Sequence, residues 1–271
     1  MLRLSRYATS LRPKYARIAC LPLTLHYLGI HKGQSLAVPS ISDHVKTMTG
    51  YFITFEGIEG CGKSTQCQAV AAALRRAGIS ITVSREPGGT HIGERIRALL
   101  LDVNSRQLYA ETELLLYAAD RAQHVRQVLR PALEAGSVVL CDRFADSTFA
   151  YQGYGRGLDM ELIRRLNTEA SGALTPNLTI LLDVPVEIGL GRITERGRQP
   201  GGGRDRLEQE HHAFHERVRQ GYLALASAEP DRMVVIDASD GIDALSARVL
   251  RTVNELLAAA FPAQSEPLNT D

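Results

Sequence analysis

Residues 51–65 constrain the fold of this chain more than any other stretch. They read YFITFEGIEGCGKST, in which Gly57, Gly62, Lys63 and Ser64 spell the phosphate-loop pattern G-x-x-x-x-G-K-[ST]. The context fits the motif. Residues 51–55 are a β-branched and aromatic run that predicts a strand. From Lys63 a polar start gives way to AVAAALRRA, which predicts a helix. Glycines let the loop turn its backbone N–H groups inward around phosphate oxygens. The loop then opens into a helix N-terminus, whose free N–H groups and positive dipole end favour anions. Lys63 is expected to reach the β- and γ-phosphates of a nucleoside triphosphate, and the Ser64 hydroxyl to sit on Mg²⁺. Ile58, Glu59, Gly60, Cys61 and Thr65 complete the candidate triphosphate site.

Strands and helices alternate after the loop. Apolar runs at 79–84, 138–141, 178–184 and 233–236 predict four more strands. Helices are expected at about 92–101, 111–135 and 159–172, and from about Pro185, Asp205 and Gly241. Continuous apolar strands between helices imply a parallel sheet covered on both faces. The expected fold is therefore a three-layer α/β fold of the P-loop NTPase type, a parallel five-stranded sheet flanked by helices. Ligands in such sheets bind beyond the carboxyl ends of the strands.

Bulk properties exclude some functions. A net charge of +1 over 271 residues argues against a general nucleic-acid binder. Cys20, Cys61, Cys67 and Cys141 form no CxxC pair, which favours reduced thiols in a cytosol-like compartment. Residues 1–48 differ from the rest: Arg3, Arg6, Arg12, Lys14 and Arg17 precede the first acid, Asp43. Such a basic, acid-poor segment reads as a transit peptide, or as a tail that is disordered or absent from the mature protein, since Met48 stands just before the first strand. The second reading places the protein in the cytoplasm, and the first in an organelle. The apolar run 18–30 contains His26 and is too short to span a bilayer, so no membrane partner is expected. The main domain is expected at 49–262, with a flexible QPGGG loop at 199–203 and a disordered tail at 263–271.

Four further segments carry chemistry: REPGGT at 85–90, YAADR at 117–121, Asp142-Arg143-Phe144, and Tyr151-Gln152-Gly153. Together with FEGIEGCGKST, LLYAADRAQHV, DRFADSTFAYQG and LDVPVEIGL, they closely resemble the thymidylate kinases, which phosphorylate dTMP with ATP. The resemblance runs from about Tyr51 to Phe261. It implies a nucleoside monophosphate kinase that gives dTDP and ADP, with Mg²⁺ as cofactor and a homodimeric assembly. The residues are consistent with that chemistry. A phosphate monoester is largely a dianion at pH 7 and needs no general base as acceptor. It needs cations and positioning, and Arg85, Arg97, Arg121, Arg143, Arg192, Arg196 and Arg204 supply a surplus of charge. A lone arginine is usually a solvated surface charge. Arg143 escapes that reading best, because it directly follows the buried run VVLC-Asp142.

The resemblance also implies roles. Arg97 and Arg143 hold the dTMP phosphate, Tyr117 stacks on thymine, and Arg121 donates to its O4. From the residues alone, Tyr117 reads equally well as a core position on an amphipathic helix. Pro87, Thr148 and Gln152 belong to the same pocket, Glu59 accepts from the 3′-hydroxyl, and Tyr151 lies under C2′. Ser64 and Asp142 organise Mg²⁺; Asp142 alternatively reads as a helix cap. Asp183 is expected to cap or pair structurally. In this family a catalytic arginine comes from the P-loop or from the lid. Gly60 leaves none in the loop, so the charge is expected from the lid, about 192–206. There Arg192 resembles the residue that stacks on adenine, and Arg196 is the catalytic candidate, with Arg198 and Arg204 as alternatives. A GTPase-like switch is disfavoured because no N-K-x-D tetrapeptide occurs.

Overall fold

The computed structural model describes residues 50–105, 107–198 and 203–260, the side chains of 259 and 260 excepted. The chain divides into units Met1–Val45 and Lys46–Asp271, and every described residue belongs to the second. The expectations for the extension at 1–48, for most of the QPGGG loop and for the tail at 263–271 lie outside the described residues.

Five strands form one sheet: β1 (Tyr51–Glu56), β2 (Ile81–Arg85), β3 (Val138–Asp142), β4 (Leu178–Asp183) and β5 (Met233–Asp237). Their order is β2-β3-β1-β4-β5 and every pair is parallel. Side chains alternate between the two faces of a strand, and the core divides accordingly. Ile53 and Phe55 of β1 join Val138 and Leu140 of β3 in one cluster, while Phe52 joins Val139 and Cys141 in the other. Burial of both faces is why these strands read as unbroken apolar runs. The expected three-layer parallel fold is the observed one.

Nine helices flank the sheet among the described residues: α1 (Lys63–Arg76), α2 (His91–Leu101), α3 (Ala110–His124), α4 (Arg130–Glu134), α5 (Ala145–Thr148), α6 (Met160–Ser171), α7 (Val186–Gly197), α8 (His212–Ala228) and α9 (Ile242–Ala260). The single helix expected at 111–135 is α3 and α4 joined by a π-helical turn, Val125–Leu129. Pro131 has no N–H to give to the preceding turn, and the wider turn just before it absorbs that gap.

Three expectations need correction. β2 begins at Ile81, two residues later than the apolar run. Residues 145–155, for which no helix was expected, form α5 and a π-helical turn, Phe149–Gly155. Gly153 and Gly155 look like breakers, yet they serve packing: a Cβ would stand 2.6 Å from the Met160 sulfur at Gly153 and 2.7 Å from the Phe214 ring at Gly155. The helix expected from Asp205 begins instead at His212. Glu208 N donates to Asp205 Oδ1 (2.9 Å) and Asp205 N to Glu208 Oε2 (3.1 Å). This reciprocal box commonly starts a helix; here it closes a turn ahead of one.

β1 lies centrally, with β3 on one side and β4 on the other. Loops leaving the carboxyl ends of β1 and β3 therefore diverge around a crevice, where a ligand site is expected in such sheets.

Candidate active site

That crevice is a cavity of about 750 Å³. Glu59 through Thr65 form its floor, with Lys63, Ser64 and Thr65 opening α1. Gly57 and Ile58 do not line it; their carbonyls face inward and accept from Lys63 Nζ at 3.1 and 2.8 Å. Lys63 also approaches the Cys61 sulfur at 3.4 Å, so all three ammonium hydrogens are engaged within the loop. The Cys61 thiol is fully buried. A reagent in bulk solvent does not reach it, contrary to the accessible thiol that its place at a helix start suggests. Ser64 Oγ donates to Asp142 Oδ2 at the end of β3. A hydroxyl and a carboxylate at the mouth of a phosphate loop suit Mg²⁺, which takes few protein oxygens and keeps its waters. No group of three or more His, Cys, Asp or Glu suited to a metal occurs among the described residues.

Arg143 follows β3 with φ of 74°, left-handed for a residue with a Cβ. Such strain persists where surroundings over-determine it. Nη1 donates to Gly57 O (3.0 Å) and Tyr222 Oη (3.0 Å), and Nη2 to Glu59 Oε1 (3.0 Å) and Tyr151 Oη (2.9 Å). The guanidinium also lies 4.8 Å from the Tyr151 ring centre. Glu59 Oε1 accepts a further 2.5 Å bond from Tyr151 Oη, whereas Oε2 is buried with no hydrogen-bond partner. His215 Nδ1 stands 3.3 Å from Oε2 but out of line for a bond. Burial would raise the Glu59 pKa; the nearby His215 ring, the Arg143 and Lys63 charges and the Tyr151 hydroxyl outweigh it and hold the carboxyl below the usual range. Behind this group, Glu56 accepts from Phe144 N (2.7 Å), Ser147 Oγ (2.6 Å) and Tyr222 Oη (2.8 Å). Burial, and then the Asp146 charge, push Glu56 up to about 7.

A second wall comes from α2, α3 and the segment after β2. Arg97 Nη1 donates to Pro87 O at 2.9 Å. Arg121 is 1% exposed and donates to Glu86 Oε2 (2.9 Å), Thr148 Oγ1 (3.0 Å), Asn167 Oδ1 (2.5 Å) and Phe144 O (3.1 Å). Four of its five N–H groups are thus taken, leaving one on Nη2. Gln152 Nε2 donates to Glu113 Oε1 at 2.8 Å, which leaves the Gln152 carbonyl oxygen to the cavity. Tyr117 faces the same space, and burial followed by the Glu113 charge keeps its phenol protonated. Asp120 Oδ1 accepts from Gly88 N at 3.0 Å; burial and Glu86 push its pKa to about 7.

The third wall is α7. Arg192 and Arg196, one turn apart, both line the cavity. Arg192 Nη1 donates to Ala238 O at 3.0 Å, and Nη2 lies 3.3 Å from Ser239 O, which fixes the plane of its guanidinium. Arg196 pairs with Glu208. Arg198 and Arg204 do not line the cavity; Arg204 donates to Thr194 Oγ1. The P-loop and α7 touch through two glycines. A Cβ on Gly60 would stand 2.2 Å from Gly189 O, and one on Gly189 2.6 Å from Glu59 O. No side chain fits at Gly60, so position 60 cannot add a second cation to Lys63 at the triphosphate floor.

The family model described as thymidylate kinase matches residues 55–249. The chain belongs to the thymidylate kinase family. It is 57% identical over 201 residues to a thymidylate kinase of Geobacter sulfurreducens, covering 74% of this chain and 94% of that one. It is 53% identical over 206 residues to one from Deinococcus radiodurans, covering 76% and 97% respectively. A crystal structure of thymidylate kinase from Ehrlichia chaffeensis shares the fold with a TM-score of 0.60 at 33% identity, over 75% of this chain and 98% of that one.

The sequence-derived site residues line one cavity except for Gly57, Ile58 and the alternative lid candidates Arg198 and Arg204. Asp183 pairs with Arg219 at 2.7 and 2.8 Å, as a structural acid. Sequence reasoning missed Glu56, Glu113 and Tyr222, which fix residues it found, and His215, which stands beside Glu59 without a bond. Glu56 carried a signal, an acid ending a buried strand, and Asp205-x-x-Glu208 showed its box spacing. His215 and Tyr222 sit on an ordinary amphipathic helix and carried none.

Proposed function

We propose that the cavity holds ATP and dTMP together, with the P-loop and α7 around the triphosphate and α2, α3 and the Phe149–Gly155 turn around the monophosphate. As a member of the thymidylate kinase family, the protein phosphorylates dTMP to dTDP with ATP, by in-line phosphoryl transfer. One observation carries the assignment of the two sites: the phosphate-loop floor and the arginine-rich pocket share a single cavity.

Lys63 would exchange its loop carbonyls for β- and γ-phosphate oxygens, and Ser64 would exchange Asp142 for Mg²⁺. The ion, when bound, neutralises charge on the phosphates. Arg192 offers a fixed plane to adenine between the P-loop and the start of α9. Arg97 and Arg143 hold the acceptor phosphate, and Arg196 supplies charge at the transferring phosphoryl. On the nucleoside side, Tyr117 stacks on thymine and the remaining Arg121 donor meets O4. Pro87, Thr148 and Gln152 shape the base pocket, Tyr151 lies under C2′, and Glu59 Oε2 accepts from the 3′-hydroxyl. A carboxylate with an unpartnered buried oxygen supports that last role, since it can only accept.

We further propose a kinase domain over residues 49–262 with a lid at 192–206, a cytoplasmic location and a homodimer. Among the described residues no helix is long and apolar enough to cross a membrane. Ile92 and Leu99, seven apart on α2, and Leu115 on α3 are half exposed, which supports an apolar contact face there. A coupled assay of ADP release across dTMP, dUMP, UMP, dCMP, AMP and thymidine tests the activity. Fastest turnover with dTMP is expected; a preference for AMP or thymidine would overturn the pocket assignment.

A further inference from the structure

His215 has two ring nitrogens, is 1% exposed, and makes no hydrogen bond with either. It leaves α8 toward the P-loop, with its ring edge-on to Phe214 at 5.6 Å between centres. Its Nδ1 lies 3.3 Å from the one Glu59 oxygen that also lacks a partner. Two buried polar atoms therefore face each other, close but misaligned.

We propose that His215 is the positioning residue for Glu59 and so sets the preference of this kinase for a 3′-hydroxyl. The inference rests on the assignment of Glu59 as the acceptor from the sugar. A carboxylate held at one oxygen still turns about its Cγ–Cδ bond. Here Arg143 and Tyr151 hold Oε1, and nothing holds Oε2. Oε2 is closed to solvent as the carboxylate stands; only a turn that opens it to the cavity lets an incoming 3′-hydroxyl take one of its lone pairs. The same small turn puts the other lone pair on Nδ1–H. The anionic carboxylate selects the Nδ1–H tautomer, because no neighbour competes for the proton at Nε2. Both oxygens become fixed only when the hydroxyl is present. A 3′-deoxy sugar leaves Oε2 without the hydroxyl and the pair misaligned.

The test is the ratio of kcat/KM for dTMP to that for its 3′-deoxy analogue, in the full chain. His215→Phe keeps the ring volume and removes the donor. It is expected to lower the ratio about tenfold, the worth of one hydrogen bond to a charged acceptor, through KM for dTMP and with kcat nearly unchanged. Amide replacements separate position from mere polarity. In His215→Asn the amide nitrogen occupies the place of Nδ1, and the ratio is expected to hold. In His215→Gln it occupies the place of Nε2, and the ratio is expected to fall. These two variants decide the matter even where His215→Phe does not fold. An unchanged ratio in both His215→Phe and His215→Gln, or an equal loss with both substrates, overturns the proposal. Glu59→Gln separates the two layers of the argument. If it collapses the ratio while the His215 variants do not, Glu59 is the acceptor and His215 has no part. If Glu59→Gln itself leaves the ratio intact, the assignment of Glu59 fails first.

Discussion

Arg196 lies in the last turn of α7, with its guanidinium tied to Glu208, which lines the same cavity. A lid arginine that touches the phosphoryl group only in flight is worth roughly 10³ to 10⁵ in kcat. Arg196→Ala is therefore expected to cut kcat by about 10³ with little change in KM for dTMP, the pattern of an interaction made in the transition state alone. Stopped-flow ADP release measures it. A kcat within about threefold of wild type, ~0.7 kcal/mol, would remove Arg196 from the reaction. Arg192→Ala should instead raise KM for ATP, because its plane is already fixed by Ala238 and Ser239. Tyr151 makes a different kind of prediction. Its ring is buried against Arg143, and Tyr151→Ala should raise the ribo-TMP to dTMP ratio of kcat/KM. The loss of a large buried ring costs about 3–5 kcal/mol of stability, and the ratio is insensitive to how much protein is folded. At this scale the sequence displayed the residues that point into the cavity, because their chemistry is odd for their place. Arg143 after a buried strand is such a residue. It hid the residues that hold them. Glu113 satisfies Gln152, Arg156 and Arg206, and none of those partnerships leaves a mark at fixed spacing.

Asp120 of α3 helps latch the segment that follows β2, alongside the contacts of Glu86 with Arg121 and His124. Asp120 Oδ1 receives Gly88 N, its other oxygen is buried without a partner, and its carboxyl titrates near 7. The sign follows from linkage. The folded group keeps its proton up to about pH 7, while the unfolded group loses it near ~3.9. Between those values the native state binds more protons, so stability falls as pH rises through that window. Each pH unit of separation is worth ~1.4 kcal/mol, and the total is on the order of a few kcal/mol. Asp120→Asn keeps the acceptor and removes the titration. Denaturant midpoints measured from pH 4.5 to 8 should decline for wild type and stay flatter for the variant; parallel curves would refute the latch as the source. Elements as such were legible in the sequence wherever one periodicity ruled, as in β1, β3 and β4. They were not legible where side chains from elsewhere set the backbone. The Phe149–Gly155 turn keeps glycines because Phe214 and Met160 crowd it, and the Asp205–Glu208 box delays α8.

For the whole molecule, the apolar face of α2 and α3 yields a direct measurement. Leu99→Glu places a charge on the α2 face that carries Ile92 and is expected to shift the mass in light scattering from two chains to one, with the fold intact by circular dichroism. An unaltered mass of two chains would put the contact elsewhere. A chain beginning at Met48 is expected to match the full chain in kcat/KM and melting temperature; a large loss in either would give residues 1–48 a part in the kinase. The meeting of Gly60 and Gly189 bears on how such an enzyme can change over generations. A lineage that moved its catalytic cation from the lid into the P-loop would have to place a side chain at position 60, against Gly189 O. The neighbour is already glycine and cannot be trimmed further, so no second substitution at 189 opens the way. The start of α7 would first have to step back as a body, carrying Arg192 and Arg196 away from the P-loop floor. The contact between two glycines therefore closes position 60 to any such exchange while α7 stays where it is.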